Sequence, residues 1–347
     1  METFERRWDE RRGRGDRGRR TTADEARDSY YGVPAIHAPH WGGLIVGYFF
    51  LGGISGASYA IASLSRLVGP PQDRGIVRAG RYLSFATLIP CPVLLILDLG
   101  RPERFHHMLR VVKLRSPMSV GTWGLTIFGL FSVLSAFLQA AEDGLLGNGG
   151  LDRAVRSQPA RGIGAVGTVP AIFVAGYTGV LLAATAVPLW AKNALLLGPL
   201  FLSSAFSTAT SAIALALALS RSAGEETLHR LERLERVAML SELGLLIASG
   251  VRLGETAKPV TEGRTGALLR YGTVGAGLLL PLALQLARPL GLVRSTGAVT
   301  PLASLLVLAG GFILRYVAVV GGHASADDPR ATFAYARAEP SEEASIA

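Results

Sequence analysis

A single cysteine, Cys91, among 347 residues excludes an internal disulfide. It also excludes an iron–sulfur cluster held by this chain alone, because such a cluster needs several thiolate ligands. Histidine is nearly as scarce. His37, His40, His106, His107, His229 and His323 all fall outside or at the edges of the long apolar runs, so none is placed to ligate a haem buried in mid-membrane. Charged residues are only 18% of the chain and apolar residues 49%, which excludes an ordinary soluble globule. The formal charge of +9 comes mainly from arginine scattered over tail and loops. With no folded basic domain to read a groove, that charge points to anionic lipid headgroups and away from nucleic acid. A secretory signal is not expected, since no basic stretch leads into a short apolar region and a small-residue cleavage site.

What the sequence has is apolar length. Eight segments read as bilayer crossings, each of which needs roughly 20 mostly apolar residues, and the sixth is short enough to need its charged flanks to make up the length. They lie near Trp41–Leu64, Arg81–Leu97, Val120–Ala141, Val169–Leu189, Leu195–Leu219, Val237–Val251, Gly266–Ala287 and Thr300–Val320. The fold class expected is an all-α, multi-pass integral membrane protein, located in the cell (inner) membrane. Glycines inside the spans (Gly52, Gly53, Gly56, Gly275, Gly277, Gly310, Gly311) predict closely packed helices, because small residues let backbones approach where no hydrophobic drive joins them. Residues 1–29 form an Arg-rich tail of disordered composition, and residues 323–347 a second tail. The nine arginines between Met1 and Asp28 favour a cytoplasmic N-terminus, although basic residues elsewhere divide almost evenly between the two faces.

The sequence is organised around Asp98-Leu-Gly-Arg-Pro102, where an apolar run meets a carboxylate, a helix stop and the cluster Arg101, Arg104, His106, His107. An ionisable group there marks either a functional site or a helix cap at the membrane surface. Tyr48 lies about 10 Å below Trp41 in the first span and needs a hydrogen-bond partner from protein or ligand. Pro90 and Pro92 flank Cys91 and should loosen the second span. Gly176-Tyr177-Thr178-Gly179 sets a phenol in an apolar wall, suited to a flat ring with a polar edge or to a bond with a neighbouring carbonyl. The stretch Glu225–Arg236 reads as an amphipathic helix lying at the interface, with Glu242 about one turn inside the span that follows. Arg315 is expected about a turn before the Gly321-Gly322 exit, on the Asp98 face, neutralised by Asp98 or by another interior acceptor.

The ordered set Tyr30-Tyr31-Gly-x-Pro, Trp41 leading into Tyr-Phe-Phe-Leu-Gly-Gly, Asp-Leu-Gly-Arg-Pro, Ser116-Pro-Met-Ser-x-Gly-x-Trp123, Tyr177-Thr-Gly with Pro188-Leu-Trp, and Leu314-Arg-Tyr316 resembles the membrane subunits of the NrfD/polysulfide reductase family. The resemblance runs from about residue 30 to 320. It implies eight spans in two four-helix bundles, 30–190 and 191–322, with a quinone site in the first. It implies no haem, iron–sulfur cluster or covalently bound cofactor in this chain, and menaquinone or ubiquinone as exchangeable substrate. It further implies a peripheral, ferredoxin-like iron–sulfur partner, usually attached to a molybdenum or tungsten catalytic subunit. By position Tyr48, where relatives often have histidine, and Tyr177 with Gly176 match quinone contacts. Asp98 then serves as proton relay or structural acid, Arg101, Arg104 and His106 as partner contacts, and Glu242 with Arg315 as elements of a proton path. Two other classes fit the same residues: an anchor without quinone chemistry, and a transporter for a small anion.

Overall fold

The computed structural model describes residues 39–147, 159–222, 224–287 and 299–328. The 1–29 tail, the Tyr30–Pro34 motif, His37 and most of the 323–347 tail lie outside the described residues. Among the described residues there is no strand, and eight helices are long and apolar enough to cross a membrane. These are α1 (Gly43–Val68), α2 (Pro71–Asp98), α3 (Pro117–Glu142), α4 (Ala160–Ala183), α5 (Ala194–Ser220), α6 (Glu225–Thr261), α7 (Gly263–Ala287) and α8 (Val299–Ala326). Successive spans cross in opposite senses. The start of α1, Asp98 at the end of α2, and the end of α8 therefore share one face, called the near face below. The α1–α2 turn, the end of α3 and the end of α5 share the far face.

The core is built on α1 and α5, whose most apolar windows are 78% and 72% buried, against 28% for α2. Helix α1 packs on α2, α4, α5 and α8, and α5 packs in addition on α4, α6 and α8. Close approach needs glycine at particular places. A Cβ on Gly56 would stand 2.3 Å from the Ala171 carbonyl oxygen, and Gly277 and Gly310 bring α7 and α8 almost into backbone contact.

Several boundaries differ from those expected from hydropathy. Helix α2 begins ten residues before Arg81, because Ile76, Val77 and Gly80 already face the core while Arg74 and Arg78 face outward. It is interrupted at Ile89, between Leu88 and Pro90, where the prolines remove backbone donors. Helix α4 starts at Ala160 and stops at Ala183, and Pro188–Lys192 forms a separate short helix after Val187 turns extended (ψ 122°). The stretch Glu225–Arg236 does not lie along the interface. It is continuous with the span as Glu225–Leu253, because its charges find partners on other helices: Arg230 pairs with Asp73 at 3.0 Å, and Glu235 is 5% exposed and bonded to Ser211. Helix α8 runs through Gly321-Gly322 to Ala326. Those glycines serve close packing, since a Cβ on Gly322 would fall inside the Trp190 ring.

Candidate functional site

The near-face half of the α1–α2 contact is built from two complementary spacings. On α2, Cys91, Leu94 and Asp98 follow one another at three and four residues and so share a face. On α1, Leu94 meets Gly47 (3.5 Å to a built Cβ) and Cys91 meets Gly52 (3.9 Å), with Tyr48 between them. Tyr48 is 4% exposed, lies about 7 Å inside the start of α1, and among the described residues its hydroxyl has no hydrogen-bond partner. The titratable side chains nearest to it are Cys91 and Tyr177. The Cys91 thiol donates to the Thr87 carbonyl at 3.2 Å and is fully buried.

Tyr177 stacks on Phe173 (centroids 4.4 Å apart, planes 25°) and donates its hydroxyl proton to the Pro117 carbonyl at 2.6 Å. Its ring fits because residue 121 is glycine, where a Cβ would lie 2.8 Å from it. The carbonyl-bonded arrangement is thus the one the structure adopts, and a ligand reaching this phenol would meet its oxygen as an acceptor. Gly176 lies behind it against Leu202 and the Gly198 carbonyl, as helix contact rather than cavity wall.

Asp98 is half-buried at the near-face end of α2, and its electrostatic neighbour is His40. Among the described residues it forms no ion pair with Arg101 or Arg315. Arg101 precedes the 3-10 helix Pro102–Leu109, which carries Arg104 and His106, and all three side chains are exposed on the near face. His106 and His107 stand edge to face at 4.4 Å.

Arg315 is not at the membrane exit. It is fully buried some three turns inside α8, donating from Nε to the Phe49 carbonyl (3.3 Å) and from Nη1 to the Ser204 hydroxyl (3.0 Å) and the Gly311 carbonyl (2.7 Å). Its guanidinium lies 5.7 and 5.6 Å from the rings of Phe50 and Phe201. Gly53 and Gly311 leave it room. Its charge partner is Glu242, 1% exposed, which accepts from Ser207 at 2.8 Å. Reading Glu242 as one turn inside its span and Arg315 as part of the Asp98 face is corrected accordingly: because α6 begins at Glu225 and α8 ends at Ala326, the two residues meet at one depth.

One residue escaped the sequence reading. Glu235, seven residues before Glu242 on α6, accepts from Ser211 and from Gln285 (2.6 Å) in the interior. The signal available was the spacing of Ser204, Ser207 and Ser211 on α5, which place three hydroxyls on one face opposite the two acids. Among the described residues no group of three or more His, Cys, Asp or Glu side chains could hold a metal ion.

Comparison with known proteins agrees with this architecture. The family model described as "Polysulphide reductase, NrfD" matches residues 35–326. The polysulfide reductase C component of Wolinella succinogenes is 32% identical over 304 residues, covering 82% of this chain and 93% of that protein. The selenate reductase C component of Mesobacillus selenatarsenatis is 28% identical over 94 residues, 27% of this chain and 21% of that protein. With a family match spanning nearly all the described helices and a relative aligned along most of its length, this multi-pass chain belongs to the NrfD polysulphide reductase family.

Proposed function

We propose that this chain is the quinone-reactive membrane subunit of a multi-subunit reductase, exchanging electrons between a menaquinone or ubiquinone pool and a peripheral iron–sulfur protein that serves a molybdenum or tungsten catalytic subunit. The names of its relatives, components of polysulfide and selenate reductases, support membership of such a complex. The observation that carries the quinone reading is Tyr48: a side chain 4% exposed, with no hydrogen bond to its hydroxyl among the described residues, close to a face that presents exposed basic side chains. A phenol left without a partner in an apolar wall is suited to a quinone carbonyl. In this reading helices α1–α4 form the quinone-binding bundle and α5–α8 the second bundle.

Reduction of a quinone consumes two protons as well as two electrons, so donors within hydrogen-bond reach are required. Tyr48 positions the ring and supplies the donor. Asp98 with His40, half-buried at the near face, resupplies protons from the aqueous side. Arg101, Arg104 and His106 receive the iron–sulfur partner on the same face, which keeps its cluster close to the ring. The N-terminus, and with it the partner, is assigned to the cytoplasmic side on the arginine content of the tail. Glu235 with Ser211, Ser207 with Glu242, and Ser204 with Arg315 form a polar file through the second bundle, which supports a proton path ending at Phe49, the neighbour of Tyr48.

The test is Tyr48→Phe in the assembled complex, with quinol-dependent turnover and subunit stoichiometry measured together. Assembly unchanged with turnover lowered supports the reading. Unchanged turnover favours the membrane-anchor alternative, which the satisfied hydroxyl of Tyr177 also suits. The proton path is tested separately by Glu242→Gln in proteoliposomes, where undiminished proton translocation removes it.

A further inference from the structure

The far face carries a vestibule unrelated to the Tyr48 region. Its volume is about 1270 Å³, and it opens between the α1–α2 turn, the end of α3, the start of α4 and the end of α5. Arg66, Arg74, Arg78 and Arg161 line it together with Glu142 and Asp143, and Arg81, behind the lining, is bonded to the lining residue Gln139.

Both carboxylates are already paired. Glu142 is bidentate with Arg66 (2.9 and 2.5 Å) and is 3.9 Å from Arg81. Asp143 accepts from Arg78 (2.8 Å), the Tyr82 hydroxyl (2.8 Å) and Gln139 (3.1 Å). Among the described residues, five guanidinium groups therefore stand against two acids. Arg81 is 3% exposed, yet among the described residues its Nη2 has no hydrogen-bond partner, and neither has the buried Nε of Arg66. A buried guanidinium left in positive surplus is costly unless an anion completes it. Arg74 and Arg161, exposed at the rim with no carboxylate in salt-bridge range among the described residues, have the fork geometry that grips phosphoryl oxygens.

We propose that this vestibule is a phosphoryl-anion site, taking the headgroup of an anionic phospholipid or a free phosphate at the far membrane surface. The surplus of positive charge selects an anion, the forked donors suit phosphoryl oxygens, and the position at the level where helices leave the bilayer brings headgroups to it. Zwitterionic headgroups lack the net charge and are discriminated against. The inference is independent of quinone chemistry.

The full-length protein, purified in mild non-ionic detergent and stripped of lipid, is titrated with phosphatidylglycerol, cardiolipin, phosphatidylcholine and, separately, inorganic phosphate, with native mass spectrometry and thermal melting as readouts. The anionic lipids are expected to bind and raise the melting temperature while phosphatidylcholine does not. Arg74→Gln combined with Arg161→Gln, both exposed, is expected to weaken that binding by about thirtyfold. Arg110→Gln combined with Arg115→Gln on the opposite face leaves it unchanged. Protection by inorganic phosphate as well assigns the site to the phosphoryl group itself. Protection by lipid alone assigns it to the headgroup in its bilayer setting. Equal binding of phosphatidylcholine, no binding of any phosphate compound, or undiminished binding by the Arg74/Arg161 variant overturns the proposal.

Discussion

Arg315 donates to the Ser204 hydroxyl and Glu242 accepts from Ser207, one turn further along α5, without the two charges being within ion-pair distance of each other. The guanidinium is further held by two backbone carbonyls, so each charge is dispersed over neutral dipoles as well as opposed by the other. Breaking such an arrangement from one side leaves a buried charge uncompensated, at a cost of about 3–5 kcal/mol. Arg315→Met alone and Glu242→Gln alone should therefore each lower the melting temperature in detergent. The double substitution should recover most of the loss, and a double-mutant cycle with no coupling would contradict the mutual compensation of the two charges.

Substituting Tyr48 by Phe should reduce quinol-linked turnover about ten- to a hundredfold, the range of a lost donor at a reacting centre, with little change in thermal stability. Stability is the control that separates this tyrosine from Tyr177. Tyr177→Phe strands the Pro117 carbonyl and should destabilise by about 1 kcal/mol whatever it does to turnover.

Gly56→Ala should destabilise the protein strongly, because the new methyl meets the Ala171 carbonyl, which is backbone and cannot rotate aside. Overpacking of this kind costs about 1–3 kcal/mol. Gly250→Ala, with nothing within 4 Å, is the matched control and should be neutral to slightly stabilising.

Arg230→Gln should loosen the packing of α6 on the α1–α2 turn. Asp73 is 5% exposed and accepts from Arg230 and from Thr227, so removal of the arginine leaves a buried carboxylate with one weak donor. A loss of about 1–3 kcal/mol is expected, together with faster proteolysis near Pro71 in detergent.

Cys91 should resist a water-soluble maleimide in native membranes and react only after denaturation. It is fully buried, and its thiol is bonded to a carbonyl within α2. Rapid labelling would mean that the α1–α2 contact beside Tyr48 opens to water.

The number and order of the spans were readable because a bilayer demands long apolar runs, and Tyr48 and Arg315 stood out as polar groups within such runs. Their partners were not readable. Pairing Arg315 with Glu242 depends on where α6 and α8 begin and end, and hydropathy misplaced both. The leucines at 228, 231 and 234 have the same spacing whether the helix lies on the membrane or enters it, so Glu235 passed for a surface acid until Ser211 and Gln285 enclosed it. Arg81 marked the start of a span in the sequence, whereas in the fold the helix begins a cavity earlier. Tyr177 offered both of its readings from sequence, and only the carbonyl of Pro117, sixty residues away, separates them.

The bond from Arg315 to the Phe49 carbonyl joins residues 266 positions apart in the sequence. During synthesis α1 and α6 are made well before α8, so Glu242 waits in the nascent protein without its counter-charge and α1 without its last neighbour. The arrival of α8 thus completes both halves at once. A polypeptide truncated before Arg315 would hold Glu242 inside the bilayer without its counter-charge.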